Sequence, residues 1–173
     1  MYRPIIGKTL KHLSYIALIF FVYILQATIF VHLPILGQKP LLLPLTVTAI
    51  FIIEGGELGA IYGLLAGLLC DISLNQSTVI FTFSLTAIGA LGGYLNQRFL
   101  EDGILSALFC GFAVLALCAG IQSFPLFVYR HAEIPSLAAT SIIQTVYSLP
   151  FMVPLYYLCR LIVKIPSALR YSS

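Results

Sequence analysis

Asp71 is the residue whose surroundings first raise a question of chemistry. It is the one acid in the chain flanked deeply by aliphatic residues, and four glycines at a spacing of four, Gly55, Gly59, Gly63 and Gly67, lead up to it through an apolar segment. An acid so placed can sit solvated at the interface, cap the following loop, pin helices together through hydrogen bonds, or carry a proton or hold a substrate. No histidine and no second acid stands at helical spacing from it, which favours a structural staple over a proton-carrying or catalytic acid. The glycines point the same way. Positions four apart on a helix drift by only about 40°, so the four share one slowly winding face. Glycine on that face lets a neighbouring backbone come close, which is how helices associate in lipid, where burying leucine on leucine gains little over burying it in acyl chains. The stripe is therefore expected to be a helix-packing or partner interface, with Asp71 as the staple at its end.

The remaining reactive side chains offer little chemistry. Cys70, Cys110, Cys118 and Cys159 contain no Cys-x-x-Cys pair, and most sit in apolar runs where a thiol behaves as a small hydrophobe. The three histidines, His12, His32 and His131, all fall at expected span ends, so no intramembrane metal site is expected. His-Glu-x-x-His, phosphate-loop and Gly-x-Ser-x-Gly motifs do not occur. A non-enzymatic protein without cofactor is the expectation.

The elements that must position Asp71 follow from composition. The chain is 60% hydrophobic and 9% charged, against a usual value of about 25% charged, so its 173 residues cannot cover themselves with a polar surface in water. An all-α, polytopic bundle of about six transmembrane helices in membrane lipid is expected. The net charge of +3 is too small and dispersed for nucleic acid. Arg3, Lys8 and Lys11 precede an apolar run over 13–33 that exceeds the ~7–15 residues of a signal core, and it reads as a retained first span. Gln26 is its strongly polar residue, expected to bond to a neighbouring helix.

Charges and turn residues place the other spans near 40–56, 57–72, 79–97, 103–128 and 135–165, within a single membrane domain. The second and third are short for a ~30 Å hydrocarbon core, so each must borrow flanking residues or sit inside the bundle; the alternative is one bent span across Glu54-Gly55-Gly56-Glu57. Positive charge decides between these. Six spans put Arg3, Lys8, Lys11, Arg98, Arg160, Lys164 and Arg170 inside and only Lys39 and Arg130 outside, whereas five spans leave Arg3, Lys8, Lys11 and Arg130 facing the other five. Both termini are thus expected in the cytoplasm. In this arrangement Asp71 lies near the outer end of the third span, facing the negative end of the helix dipole, and needs a partner. The outer candidates are Lys39, Arg130, His32, His131 and the amides of residues 73–78. In the last span Pro150 and Pro154, one turn apart, are expected to kink or break the helix over 147–153. Pro44 suits the first turn of span two.

Lys39-Pro40 and Leu41-Leu42-Leu43, followed by Gly59-Ala60-Ile61-Tyr62-Gly63-Leu64-Leu65-Ala66-Gly67-Leu68-Leu69-Cys70-Asp71, resemble the core of the bacterial rod-shape-determining protein MreD family. The resemblance runs from about Leu25-Gln26 through Arg98, and chain length and span count extend it to both ends. It departs after Asp71, where the family has a small Gly-rich turn and this chain has Ser73-Leu74-Asn75-Gln76-Ser77-Thr78. The resemblance implies a scaffold of the elongation machinery in the bacterial inner membrane, needed for rod shape and lateral peptidoglycan synthesis. Implied partners are MreC, the cytoskeletal MreB, and RodA with its transpeptidase; a second copy of the chain is a further candidate. The implied fold is similar to the substrate-binding components of energy-coupling-factor vitamin transporters, which form the rival reading. That rival needs small residues on its first helix, where residues 15–26 are bulky apart from small Ala17. It also needs polar groups converging outside, for which Gln38, Asn75, Gln76, Gln122 and Tyr129 are available.

Overall fold

In a computed structural model of the chain, the backbone is described for residues 3–32, 40–73, 79–99, 103–130 and 134–171, and side chains for 9–28, 40–73, 79–95, 103–122 and 141–164. Among the described residues every regular element is helical. The helices are α1 (Arg3–His32), α2 (Leu42–Glu54), α3 (Gly56–Ser73), α4 (Ile80–Phe99), α5 (Ile104–Arg130), α6 (Ile134–Ser148) and α7 (Met152–Tyr171), with a 3-10 turn over Leu149–Phe151 joining the last two. Among the described residues four stretches are long and apolar enough to cross a membrane: Thr9–Thr28, Gly56–Ser73, Ile104–Gln122 and Ser141–Lys164. The α2 and α4 segments Leu42–Glu54 and Ile80–Leu95 are shorter apolar helices. The molecule is a helical membrane bundle.

Its axis is α2. This helix is apolar all round, and every residue from Leu42 to Ile52 is buried, because α1, α3, α4, α5 and α7 surround it. Thirteen residues rise only about 20 Å, so α2 cannot cross the hydrocarbon alone, and its first turn opens inside the bundle where water cannot satisfy its amides. Neighbouring helices do so instead. Gln26 Oε1 on α1 accepts from Leu42 N at 3.0 Å and Leu43 N at 3.2 Å, and Ser148 Oγ at the end of α6 accepts from Leu41 N at 3.0 Å. The next residue is Pro44, which has no N–H to satisfy.

Two helices, not one bent span, occupy residues 42–73, and Gly55 is the reason. Its φ of 91° lies where side-chain-bearing residues rarely go; its N–H closes α2 on Phe51 O at 3.0 Å, and its carbonyl opens α3 by accepting from Gly59 N at 3.0 Å. Gly55 is thus the elbow between helices, and its carbonyl carbon, with the backbone of Gly56, still faces Gly93 of α4. Residues 147–153 contain the 3-10 turn, where Pro150 withholds a donor and Met152 N reaches back to Leu149 O and Pro150 O.

Candidate functional site

The glycine stripe faces α4, its most extensive partner. The two helices run antiparallel in constant register. A Cβ built on Gly56 would meet Ala90 O at 2.5 Å; on Gly59, Phe51 Cβ at 2.5 Å and Gly89 O at 2.7 Å; on Gly63, the carbonyl of Leu85; on Gly67, Thr82 Cα at 2.5 Å. From α4 the contact is returned, since Cβ atoms on Gly89 and Gly93 would fall on the backbone of Gly59 and Gly56. Each step of four residues along α3 toward Asp71 is answered by a step of about four back along α4. Backbone meets backbone along this seam, the close approach that small residues permit between helices in lipid.

Asp71 ends this seam. It is 7% exposed, and its carboxylate accepts from Phe81 N at 3.1 Å, Thr82 N at 2.9 Å and Thr82 Oγ1 at 2.6 Å. Phe81 N and Thr82 N belong to the first turn of α4, whose amides have no partner within their own helix. The last turn of α3 therefore supplies the N-terminal cap of α4. The unfavourable dipole at the end of α3 is offset by the favourable one at the start of α4. The partner differs from the outer-loop candidates the sequence offered. Lys39, His131 and residues 74–78 lie outside the described residues, as do the side chains of His32 and Arg130, and Ser73 is exposed.

At the opposite end of the bundle is a polar cluster that sequence reasoning missed. Lys11 Nζ pairs with Glu54 Oε2 at 2.6 Å, Tyr15 OH donates to Glu54 Oε1 at 2.9 Å, and His12 Nδ1 lies 2.7 Å from Tyr62 OH. The rings of Tyr15 and Tyr62 pack at 5.4 Å. Lys11 and Glu54 are 43 residues apart in the chain, a separation at which no local pattern marks the contact. The Ser148 cap on α2 was missed for the same reason. Among the described residues no group of His, Cys, Asp and Glu is arranged to hold a metal, and Cys70, Cys110, Cys118 and Cys159 are free thiols. Of the outer polar groups a transporter site would require, Gln122 is the one whose side chain is described; its Nε2 is buried with no hydrogen-bond partner among the described residues.

Close-packed helices around a buried central helix, with Asp71, Gln26 and Ser148 bonded to helix ends, define a polytopic integral membrane protein whose polar groups hold its architecture together. The family model for the rod shape-determining protein MreD matches residues 7–162, and the chain belongs to that family. No curated protein and no solved structure matches the chain. It is a rod-shape-determining membrane protein, associated with the shape-determining machinery of the cell.

Proposed function

We propose that the chain is a non-enzymatic scaffold of the elongation machinery in the bacterial inner membrane. It binds MreC and, with MreB and the RodA–transpeptidase synthase, supports lateral peptidoglycan synthesis. The observation that carries this reading is the family match over residues 7–162. The geometry agrees with it: the conspicuous acid is engaged by the first turn of α4, and the glycine stripe is engaged inside the fold. Contact with partner spans then falls to outward faces such as Ile61, Leu64, Leu68 and Ile72 of α3. Both termini are cytoplasmic in this reading, which rests on the seven-to-two distribution of positive residues.

Co-purification after mild detergent extraction tests it. MreC and synthase components should be recovered with the tagged chain. Recovery of an ATP-driven coupling subunit, or of a tightly held vitamin, would overturn the scaffold reading in favour of a transporter component.

A further inference from the structure

The first helix is the least embedded of the long apolar segments. Only 22% of Thr9–Thr28 is buried, against 39% for Gly56–Ser73, 39% for Ile104–Gln122 and 28% for Ser141–Lys164. In lipid an apolar face gains little by docking on another apolar face, so a lightly embedded helix depends on polar contacts and close packing. The described bonds from α1 to other helices cluster at two levels. Gln26 holds the first turn of α2, and Lys11, His12 and Tyr15 hold Glu54 and Tyr62.

The second level borders the weakest seam in the ring around α2, with Lys11 and Tyr15 joining α1 to α2 through Glu54 and His12 reaching α3. Helices α1 and α3 meet sparsely, and the described side-chain bond that crosses directly between them is His12 to Tyr62, beside the packed Tyr15 and Tyr62 rings. Glu54 lies beside this seam on α2 and ties α1 down through Lys11 and Tyr15. It is the last residue of α2, at the negative end of that helix dipole, with its side chain only 9% exposed. A carboxylate there is unfavourable on its own. Lys11 supplies the compensating charge, and removing Lys11 strands Glu54 in a dry place.

We infer that the Lys11–Glu54 pair, with Tyr15, His12 and Tyr62, is a latch that closes α1 over the α1/α3 seam. When the pair is broken, the N-terminal half of α1 parts from α3 while Gln26 keeps the C-terminal half docked on α2. The device sets whether the flank of the central helix is open laterally at this end of the bundle, which is the cytoplasmic end in the orientation proposed above.

Paired spin labels on the full chain in lipid nanodiscs test this, after replacing Cys70, Cys110, Cys118 and Cys159 by alanine. Labels at Leu13→Cys and Ile61→Cys, both outward-facing neighbours of the latch, report the seam. A reference pair at Ile61→Cys and Leu91→Cys reports the α3/α4 seam. With the latch intact the first pair should give one narrow distance. Lys11→Met should add a longer, broader population without moving the reference pair, and the exchange Lys11→Glu with Glu54→Lys should restore the short distance. An unchanged Leu13–Ile61 distribution in Lys11→Met would overturn the latch. So would an equal shift in the reference pair, or a charge exchange that stays open.

Discussion

Gly63→Ala adds a single methyl group, and the surroundings of Gly63 make that group costly. The new carbon would fall on the carbonyl oxygen of Leu85, 3.0 Å from its carbonyl carbon and 3.3 Å from Thr86 Cα. All three atoms are backbone, so no rotamer change relieves the clash. Helix α4 must retreat by roughly 1 Å to recover ordinary van der Waals separation. The retreat cannot stay local, because Gly59 and Gly67 hold the same helix at similarly short range. Overpacking of this kind costs about 1–3 kcal/mol. For a chain of this size that corresponds to a fall in melting temperature of roughly 2–12 °C. Gly120→Ala is the matched control: a Cβ there meets nothing within 4 Å, so it should leave the melt unchanged or raise stability by up to ~1 kcal/mol through helix propensity. Thermal unfolding of the purified variants in one detergent, with membrane abundance and partner recovery as companions, is the assay. Gly63→Leu should be worse than Gly63→Ala, and both worse than Leu64→Ala, whose side chain faces outward. If Gly63→Ala melted with Gly120→Ala, or leucine were tolerated equally at Gly59, Gly63 and Gly67, the close-contact seam would be refuted.

Other consequences are as direct. Gln26→Leu removes the acceptor from two amides of the first turn of α2 and should destabilise by about 2–6 kcal/mol, at ~1–3 kcal/mol for each stranded donor; a melting temperature equal to that of the parent would show that the caps are dispensable. Gln26→Glu keeps acceptor oxygens at the positive end of α2 and should lose less than leucine in the same melt. For topology, single cysteines at Ile5 and Ser173 in a background without native cysteines should resist a membrane-impermeant thiol reagent in intact cells, while one at Ser77 reacts. Labelling at Ser173 without Ser77 would support five spans.

The sequence carried the large features because they depend on composition and local spacing. Uniform apolarity over residues 41–53, with too few residues to cross a bilayer, already required either borrowed flanks or a place inside the bundle, and α2 is buried along its length. The spacing of Gly59, Gly63 and Gly67 placed one face against a backbone whatever that backbone was. Gly55 illustrates the limit: it shares the spacing, but its φ of 91° makes it an elbow, and periodicity does not encode a backbone dihedral. The partner of Asp71 was hidden differently. An amide donor is present in every residue but proline, so nothing in residue type marked Phe81 and Thr82; only the approach of α4 brings its bare first turn to the carboxylate. The Lys11, Tyr15 and Glu54 contacts span 43 and 39 residues, and no local pattern joins them.

The scaffold reading is tested most directly at Asp71, by scoring rod morphology and recovery of MreC for the same variants. Asp71→Asn keeps the shape and one acceptor oxygen but loses charge-assisted bonds worth about 1.5–3 kcal/mol each, whereas Asp71→Leu leaves Phe81 N and Thr82 N without an acceptor. Morphology and MreC recovery should therefore decline together, partially in Asp71→Asn and further in Asp71→Leu. An Asp71→Asn chain that recovers MreC and the synthase at parental levels yet leaves cells entirely without rod shape would contradict the scaffold role and assign chemistry to the carboxylate.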